Sequence, residues 1–591
     1  DHIEIGDNLR YTGGLFDPHW ERTRPLVPIP LRFEIGERVL GDGSVLTPLD
    51  RADLDAVIRK LAREKIESVA VCFLNSYRNG SHEMLVGDAV EAAIDGIEVS
   101  VSSQIVPEWR EYPRFSTAVM NAYVKPLLRG YLDELVSELR AGGCTGELLF
   151  MSSSTGLVSQ GSASNYPVRL ILSGPAAGVV AGIELGRLTK RHDLITYDMG
   201  GTSTDVCLVE NLVAPVSSKR VLQAFPLMTP MVDVETVGAG GGSVVSVDPT
   251  GALRVGPESA GAEPGPVSYG RGGEAFTITD ANLVLNRLSP AGLGGGKITL
   301  DRALATQAAD RLNAQAGFDN ATQLADAAVK IAVTNMCAAV REISVQRGHD
   351  PREFALVPFG GAGPMHATPI AEELGIPTIV VPPAPGNVCA TGLLAANLRH
   401  DLVESIHTPL DEVDQRELEA LLRALSERGR ELLLAEKVPK SQLSAQYVLS
   451  MRYAGQSFEL DVQVARPRIS KARLAREFDA LHAKTYGYSR EGHPLELAHA
   501  RVAVIGTLKK PSPKRHVARS RAPAAAAERG RRKVFFEGRL VNANVLERGA
   551  LRAGTRFAGP AVVEEDGSVT VVWPGWDARV DEYENIVLER T

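Results

Sequence analysis

The stretch Leu194–Glu210, with the sequence LITYDMGGTSTDVCLVE, decides how we expect this 591-residue chain to fold. An apolar run ends at Asp198, a Gly-Gly turn with three hydroxyl residues follows, and a second apolar run begins after Asp205. This order predicts a strand, a tight turn and a second strand. P-loops and dinucleotide-binding glycine motifs instead lead from a strand into a helix. The segment is therefore predicted to be a β-hairpin.

The turn of this hairpin carries groups that suit a phosphate. Two glycines let backbone N–H groups approach an anion with no Cβ in the way, and the hydroxyl residues add donors. Asp198 and Asp205 are acceptors that could hold Mg²⁺ through water, because Mg²⁺ keeps much of its hydration. We predict that both acids are catalytic and that Asp198 is a metal ligand, with an ordinary hairpin turn as the alternative. The predicted phosphate contacts are Gly200, Gly201, Thr202, Ser203 and Thr204.

A second glycine-rich segment is Val237–Ser243, VGAGGGS. Such a sequence can form an anion-binding nest or let the backbone approach a ligand closely, and a flexible loop is the alternative. The predicted ligand contacts are Gly238, Gly240, Gly241 and Gly242.

A third segment, Ala355–His366, ALVPFGGAGPMH, predicts a buried strand, a glycine turn and a helix that starts near Pro364. The carboxyl end of a strand is where α/β sheets bind ligands. His366 lies in the first helical turn, where it could contact a ligand, act as an acid or base, or be a hydrogen-bonded structural histidine. The predicted ligand contacts are Gly360, Gly361, Gly363 and His366.

The segment Ser173–Gly178, SGPAAG, predicts the start of a helix. Ser173 is a plausible N-cap, and Pro175 falls in the first turn, where a missing N–H is harmless. The small residues predict a helix that packs tightly against another helix or a sheet.

Apolar strands and helices alternate around these motifs, which predicts an α/β fold with a mostly parallel sheet. We expect an N-terminal segment at 1–90, a large glycine-rich segment at 95–400 and a C-terminal segment at 405–591. The stretch 509–533 is basic and rich in Pro and Ala, so it is predicted to be a linker or exposed loop. The short strands of 534–591 predict a small β domain.

The composition excludes several classes of protein. Lys+Arg 64 against Asp+Glu 72 gives a net charge of −8, which argues against nucleic-acid binding and against a polybasic membrane protein. No apolar run approaches the roughly 20 residues that span a bilayer, and the first residues lack signal-peptide features. We predict a cytoplasmic protein. The scattered cysteines fit no structural zinc site and are predicted to be small buried hydrophobes; they are Cys72, Cys144, Cys207, Cys337 and Cys389.

The four motifs DMGGTSTD, SGPAAG, VGAGGGS and FGGAGPMH occur in the order and approximate spacing of the A subunit of hydantoinase/oxoprolinase proteins. The chain resembles that family over nearly its whole length. Further matching stretches are Val255–Gly273, Thr279–Leu288, Arg341–Pro351, Leu398–Asp401 and Met451–Leu460.

This resemblance implies the fold of the actin, sugar-kinase and heat-shock-chaperone (ASKHA) ATPases, with a C-terminal α+β region and small β domain. In that fold two lobes, each with a phosphate hairpin, clamp Mg-ATP. DMGGTSTD is similar to the second hairpin, SGPAAG to the start of a connecting helix, and FGGAGPMH to the adenosine corner. ATP and Mg²⁺ are the implied cofactors.

The resemblance also implies a hetero-oligomer with a hydantoinase B-type subunit. The substrate it implies is a small molecule. Members are ATP-dependent hydrolases of cyclic amides (hydantoins, N-methylhydantoin, 5-oxoproline, lactams) or carboxylases of acetone or an aromatic ketone. In both chemistries ATP phosphorylates an enol or imidate oxygen.

One family motif does not occur in this sequence. The first phosphate hairpin, usually DIGGTFTD, is missing, and Asp1–Gly6 resembles a segment downstream of it. We therefore expect a chain truncated at its N-terminus. A non-catalytic nucleotide-binding or scaffolding subunit is the alternative that this raises beside the hydrolase and the carboxylase.

Overall fold

The computed structural model describes residues 23–218, 220–292, 296–517 and 524–591, so Asp1–Gly6 lies outside the described residues. Helices and strands alternate along the chain, as predicted for an α/β protein. The described helices are α1 (Arg51–Arg63), α2 (Ser81–Ala93), α3 (Ser102–Ile105), α4 (Glu111–Ala141), α5 (Gln160–Asn165), α6 (Ser173–Thr189), α7 (Ile278–Val284), α8 (Arg302–Ala316), α9 (Ala321–Ile343), α10 (Gly363–Leu374), α11 (Val388–Ala395), α12 (Gln415–Ala435) and α13 (Lys471–Tyr486). None of them combines the length and the apolar character that crossing a membrane requires.

The strands are mostly short. They are β1 (Arg38–Val39), β2 (Val45–Thr47), β3 (Ser68–Val71), β4 (Glu98–Val101), β5 (Leu149–Met151), β6 (Gly156–Ser159), β7 (Leu194–Met199), β8 (Thr204–Val209), β9 (Val216–Ser217), β10 (Arg220–Leu222), β11 (Phe225–Leu227), β12 (Met231–Val232), β13 (Glu235–Val237), β14 (Ser243–Val247), β15 (Leu253–Ser259), β16 (Ala355–Phe359), β17 (Thr378–Val381), β18 (Asn397–Pro409), β19 (Leu443–Tyr453), β20 (Leu460–Val464), β21 (Leu495–Gly506), β22 (Glu528–Phe536), β23 (Arg539–Glu547), β24 (Arg556–Ala558), β25 (Ala561–Glu565), β26 (Ser568–Val572), β27 (Trp576–Val580) and β28 (Ile586–Arg590).

The chain divides into two compact units, each assembled from separate stretches of sequence. The first contains the described residues of Asp1–Ser173, Val216–Val232 and Ala396–Lys509, and the second contains those of Gly174–Pro215, Asp233–Ala395 and Lys510–Thr591. This division differs from the three consecutive segments that the sequence suggested. Units built from distant stretches leave no boundary signal at one place in the sequence.

The second unit is organised around an eight-stranded sheet with the order β13-β8-β7-β16-β17-β28-β27-β24. Strands β7, β16 and β17 are parallel, and the outer strands pair in antiparallel fashion. The sheet is therefore mixed, and the prediction of a mostly parallel sheet holds only for its centre.

The strands of residues 528–591 do not form one separate β domain. Strands β24, β27 and β28 extend the eight-stranded sheet, and β22, β23, β25 and β26 form a four-stranded sheet in the same unit. Strand β22 begins at Glu528, so the end of the predicted linker is a strand. Residues 518–523 of that linker lie outside the described residues. A strand pattern shows that a strand forms, but not which distant strand it pairs with.

Helix α6 packs closely on the central strands, as its small residues predict. A Cβ on Gly178 would lie 2.7 Å from the Phe359 ring, and a Cβ on Gly182 would lie 2.4 Å from the Thr196 side chain. Any larger residue at these positions would push the helix away from β7 and β16.

The first unit contains a six-stranded sheet with the order β20-β19-β21-β18-β6-β5. Helix α12 lies close against β18 and β21. A Cβ on its Gly429 would lie 2.4 Å from the Val504 side chain and 2.9 Å from the Leu402 side chain. A separate parallel pair, β3 and β4, is connected through α2 in a βαβ arrangement.

Candidate functional site

The predicted hairpin is present in the second unit. Strands β7 and β8 pair in antiparallel fashion, with Asp198 opposite Asp205 and Met199 opposite Thr204. The turn is closed by the Gly200 N–H, which donates to the Ser203 carbonyl at 3.0 Å. Directly opposed residues of an antiparallel pair face the same side of the sheet. The two carboxyl groups therefore lie on one side, at the base of the turn.

The turn offers backbone donors that the protein itself does not use. Within the described residues, the N–H groups of Gly201, Thr202 and Ser203 donate to no protein acceptor. Gly200, Gly201 and Thr202 are exposed, and Ser203 is half-buried. Consecutive free N–H groups in a turn form a concave anion site. Three such groups suit an anion such as phosphate, and phosphate binding at this turn stays a prediction.

Thr204 does not share this role. Its side chain is buried, and its hydroxyl donates to the Ala239 carbonyl at 2.5 Å. The predicted phosphate contact by this hydroxyl is corrected accordingly, because its hydrogen is already used. Thr204 instead ties the hairpin to the glycine loop beside it.

Each acid at the base of the turn has a side-chain donor. The Cys389 thiol donates to Asp198 Oδ2 at 3.1 Å, and the Thr236 hydroxyl donates to Asp205 Oδ1 at 2.6 Å. Burial raises the pKa of Asp198, the thiol lowers it and the charge of Asp205 raises it, with a net upward direction. Two half-buried carboxylates next to each other favour a bound cation, which offsets their repulsion.

The carboxylates fit Mg²⁺ better than a fully protein-ligated metal. No group of three or more His, Cys, Asp or Glu suited to holding a metal occurs among the described residues. Mg²⁺ typically binds one or two carboxylates and completes its shell with water and phosphate oxygens. Asp198 is the predicted ligand, and Asp198 with Asp205 makes up the one or two carboxylates that Mg²⁺ typically binds.

The second glycine segment, Val237–Ser243, is hydrogen-bonded to the turn of the β7–β8 hairpin. The Gly241 N–H donates to the Gly200 carbonyl at 3.0 Å, and the Gly242 N–H donates to the Gly201 carbonyl at 2.6 Å. A Cβ on Gly240 would lie 2.7 Å from backbone atoms of Gly201. These glycines are buried, so the loop can approach the turn only because it lacks side chains.

The predicted ligand contacts of Gly240, Gly241 and Gly242 are therefore corrected. The N–H groups of Gly240, Gly241 and Gly242 all donate to protein acceptors, with Ser243 Oγ accepting from Gly240 at 2.8 Å. A Cβ on Gly238 would meet Pro257 at 3.1 Å. Gly240, Gly241 and Gly242 hold the turn in place, and we assign these three glycines no phosphate contact, whereas the contact by Gly238 stays a prediction.

The third glycine segment brings β16 alongside β7, with Phe359 opposite Asp198. Gly360 has a φ of +78°, and a Cβ there would lie 2.4 Å from Asp198 Oδ1. Only glycine combines this conformation with the space that the carboxylate needs. The next residue, Gly361, is exposed, and its N–H donates to no described acceptor. Gly363 is buried at the start of α10.

His366 is corrected to a structural residue. Its side chain is fully buried, with Nε2 3.4 Å from Asn282 Nδ2 and no hydrogen-bond partner for Nδ1 among the described residues. Burial, assisted by Arg287, lowers its pKa to about 3. The imidazole is thus neutral at physiological pH and does not reach the surface where a ligand would lie.

The turn between β25 and β26 lies beside Gly361, and the sequence did not suggest this proximity. Glu565 Oε2 accepts from the Ala384 N–H at 3.2 Å. The Gly567 carbonyl would lie 3.5 Å from a Cβ on Gly361 and 3.1 Å from one on Gly386. Burial raises the pKa of Glu565 to about 7 although Arg548 opposes the rise. An ionisable group with a near-neutral pKa thus lies beside the candidate site.

Comparison with known proteins places this architecture in a family. Residues 1–94, 114–402 and 411–591 match the hydantoinase/oxoprolinase N-terminal region, the hydantoinase/oxoprolinase domain and the hydantoinase/oxoprolinase C-terminal domain, respectively.

Two relatives illustrate the range of the family. The caprolactamase subunit alpha of Pseudomonas jessenii is 33% identical over 98% of this chain and 84% of its own length. The acetone carboxylase beta subunit of Xanthobacter autotrophicus is 28% identical over 97% and 82%. The crystal structure of the ATP-dependent caprolactamase from Pseudomonas jessenii matches with a TM-score of 0.89, covering 100% of this chain and 87% of that one. The chain belongs to the hydantoinase/oxoprolinase family.

Proposed function

We propose that this chain is the nucleotide-binding subunit of an ATP-dependent cyclic amide hydrolase. The observation that carries the proposal is the turn of the β7–β8 hairpin, with free N–H groups at Gly201, Thr202 and Ser203 above two opposed carboxylates. The similarity to a caprolactamase subunit supports the choice of substrate class, because caprolactam is a cyclic amide.

We assign the chain's residues the following parts in this function. The turn holds phosphate oxygens through its backbone N–H groups, and Asp198 binds the Mg²⁺ that accompanies them. Gly360 has no Cβ to crowd Asp198, so the carboxylate stays open to the ion. Asp205 is the second acid of the site and is held in position by Thr236. Bound Mg-ATP would supply the phosphoryl group that activates the amide oxygen.

The assignment to the ASKHA superfamily is also our proposal. It is supported by a hairpin with a phosphate-type turn at the centre of the mixed sheet in the second unit. The exposed Gly361 at the end of β16 is a suitable neighbour for the nucleoside part of the ligand, since ligands of α/β sheets lie beyond the carboxyl ends of strands.

A hydantoinase B-type subunit is the proposed partner. Relatives of this chain carry the names of subunits, which supports a hetero-oligomer. A ketone carboxylase is the second candidate function, supported by the similarity to an acetone carboxylase subunit. A non-catalytic nucleotide-binding subunit is the third.

The proposal is tested by measuring phosphate release from ATP by this chain together with its B-type partner. Candidate substrates are hydantoin, N-methylhydantoin, 5-oxoproline, caprolactam, acetone and acetophenone, each with and without bicarbonate. We expect a cyclic amide to stimulate release and to be converted into its ring-opened product. Conversion of a ketone that requires bicarbonate would select the carboxylase instead. Absence of stimulation by every compound would overturn both enzymatic functions.

A further inference from the structure

The six-stranded sheet of the first unit borders a cavity of about 660 Å³ that the proposed function does not use. Strand β18 pairs with β6 only at Asn397 and Leu398, and the residues that follow, Arg399–Val403, line the cavity. Gln104–Glu108 and the end of α12 line it from other sides. Ligand pockets commonly measure about 300–1,000 Å³, so the space suits a small organic molecule.

One guanidinium group in this cavity has no carboxylate of its own. Arg169 stacks over the Tyr166 ring at 4.5 Å, and its guanidinium forms no ion pair or hydrogen bond with any described residue. Its backbone is fixed, because Ser153 donates to the Arg169 carbonyl through both N–H and Oγ, at 2.7 and 2.8 Å. The side chain thus starts from a rigid base and lies half-buried.

The acid whose charge acts on Arg169 is Asp401, and this carboxylate already has a partner. Arg399 Nη2 lies 2.7 Å from Asp401 Oδ1, and Nε donates to both carboxylate oxygens. Burial raises the pKa of Asp401, while Arg399, Ser154 and Arg169 lower it, with a net downward direction. Asp401 is therefore ionised, and two guanidinium groups share its single negative charge. One positive charge remains without a matching anion.

The other charged groups around the cavity mostly have partners within it. Arg501 Nη2 lies 2.6 Å from Glu108 Oε2, and His400 Nε2 lies 3.0 Å from Glu436 Oε2. Asp461 accepts from the Ser450 hydroxyl at 2.6 Å. Arg428 and Glu431 are exposed on α12, where water screens them. Arg169 is consequently the charged group that a ligand would meet inside the cavity.

The remaining lining gives the ligand an apolar part. Ile105, Val106 and Pro107 form one apolar wall, and Met228 and Pro230 add to it. A guanidinium presents parallel donors that match a carboxylate, and a half-buried pair is screened less than one in open water.

We propose that this cavity binds a small organic carboxylate, with the carboxylate group on the Arg169 guanidinium and the apolar part against Ile105–Pro107, Met228 and Pro230. All of these residues belong to the first unit, whereas the phosphate-binding turn belongs to the second. The inference therefore stands independently of the nucleotide site.

The test is calorimetric titration of the full chain with hexanoate and with hexanamide, its neutral analogue of similar shape. Hexanoate is expected to bind saturably in the millimolar range and hexanamide to bind at least tenfold more weakly. Arg169→Gln is expected to weaken hexanoate binding at least tenfold and to leave Mg-ATP binding unchanged. The matched control is Arg473→Gln, an exposed arginine of α13 paired with Glu477, which should behave like the wild type.

A crystal soaked with 6-bromohexanoate locates the ligand independently of any variant. Bromine anomalous density in the cavity, with the carboxylate on Arg169, supports the proposal. Absence of saturable hexanoate binding, equal binding of hexanamide, full affinity in a folded Arg169→Gln protein, or bromine elsewhere only would each overturn it.

Discussion

Cys389 donates its thiol hydrogen to the Oδ2 atom of Asp198 over a distance of 3.1 Å, although 191 positions separate the two residues. Burial and the charge of Asp198 raise the pKa of Cys389, so the thiol remains protonated and acts as a donor. This cysteine was predicted to be a passive small hydrophobe, and the hydrogen bond gives it a defined part in holding a candidate metal ligand.

Replacing Cys389 with Ala should make Asp198 harder to ionise. The thiol lowers the pKa of Asp198, so its loss raises that pKa. As the pH is lowered, the Mg-ATP affinity of the variant should therefore begin to fall at a higher pH than that of the wild type. One hydrogen bond of about 1 kcal/mol corresponds to a displacement of roughly 0.7 pH units. The measurement is Mg-ATP affinity as a function of pH. Cys389→Ser, which keeps a donor, should follow the wild type; equal displacement of both variants would contradict this prediction.

Asp198→Asn should make the protein more stable at neutral pH and weaken its binding of Mg-ATP. The pKa of Asp198 is higher in the folded protein than in the unfolded chain. Ionisation of Asp198 therefore reduces the free energy of unfolding, and this loss develops as the pH rises from the lower pKa to the higher one. Asn stays neutral. The variant should therefore be more stable than the wild type at neutral pH and equally stable in acid below that window.

The same variant should lose at least about tenfold in Mg-ATP affinity, about 1.4 kcal/mol, because it lacks the charge that attracts the ion. Thermal unfolding across pH and calorimetry with Mg-ATP check the two effects. Unchanged affinity would count against Asp198 as the metal ligand, and reduced stability at neutral pH would count against the raised pKa.

Gly240→Ala should damage the site without touching the ligand. Its Cβ would lie 2.7 Å from the backbone of Gly201 and Thr202, so the turn or the loop must move. Overpacking of this kind costs about 1–3 kcal/mol. We expect a lower melting temperature together with weaker Mg-ATP binding. A variant with wild-type values of both would show that the loop does not set the position of the turn.

Glu565→Gln should remove a pH dependence of stability near neutrality. The pKa of Glu565 is raised from 4.5 to about 7, so the wild type loses stability as pH rises through this interval. Gln has no such loss, and the variant should be more stable above about pH 7 by on the order of 1 to 3 kcal/mol. Denaturant unfolding at several pH values checks this. Parallel pH profiles for the two proteins would refute the assignment.

The hairpin could be predicted from sequence because its signal is local. Apolar runs on either side of Asp198–Asp205 and the Gly-Gly turn between them determine the strands and the turn. The buried strand of the Ala355–His366 segment was also predicted correctly, since β16 is a short apolar run that ends at a glycine turn.

The contacts around the hairpin could not be predicted, because they depend on distant segments. A run such as Gly240–Gly242 is compatible with binding an anion or with packing against another backbone, and only the fold decides between them. Cys389 and Glu565 have no local motif that marks them. The near-neutral pKa of Glu565 arises from burial by segments far from it in the sequence.

The central claim is that the turn of the β7–β8 hairpin grips phosphate, and Gly201 offers its most direct test. A Cβ at Gly201 would meet no protein atom within 4 Å, so Gly201→Ala should leave the melting temperature nearly unchanged while its methyl group intrudes on the anion site. Gly146→Ala, also in open space, is the control. Calorimetry should show Mg²⁺-dependent ATP binding by the wild type and the control, and affinity at least about tenfold weaker for Gly201→Ala. Equal affinity in all three proteins, or no ATP binding by any, would contradict the account.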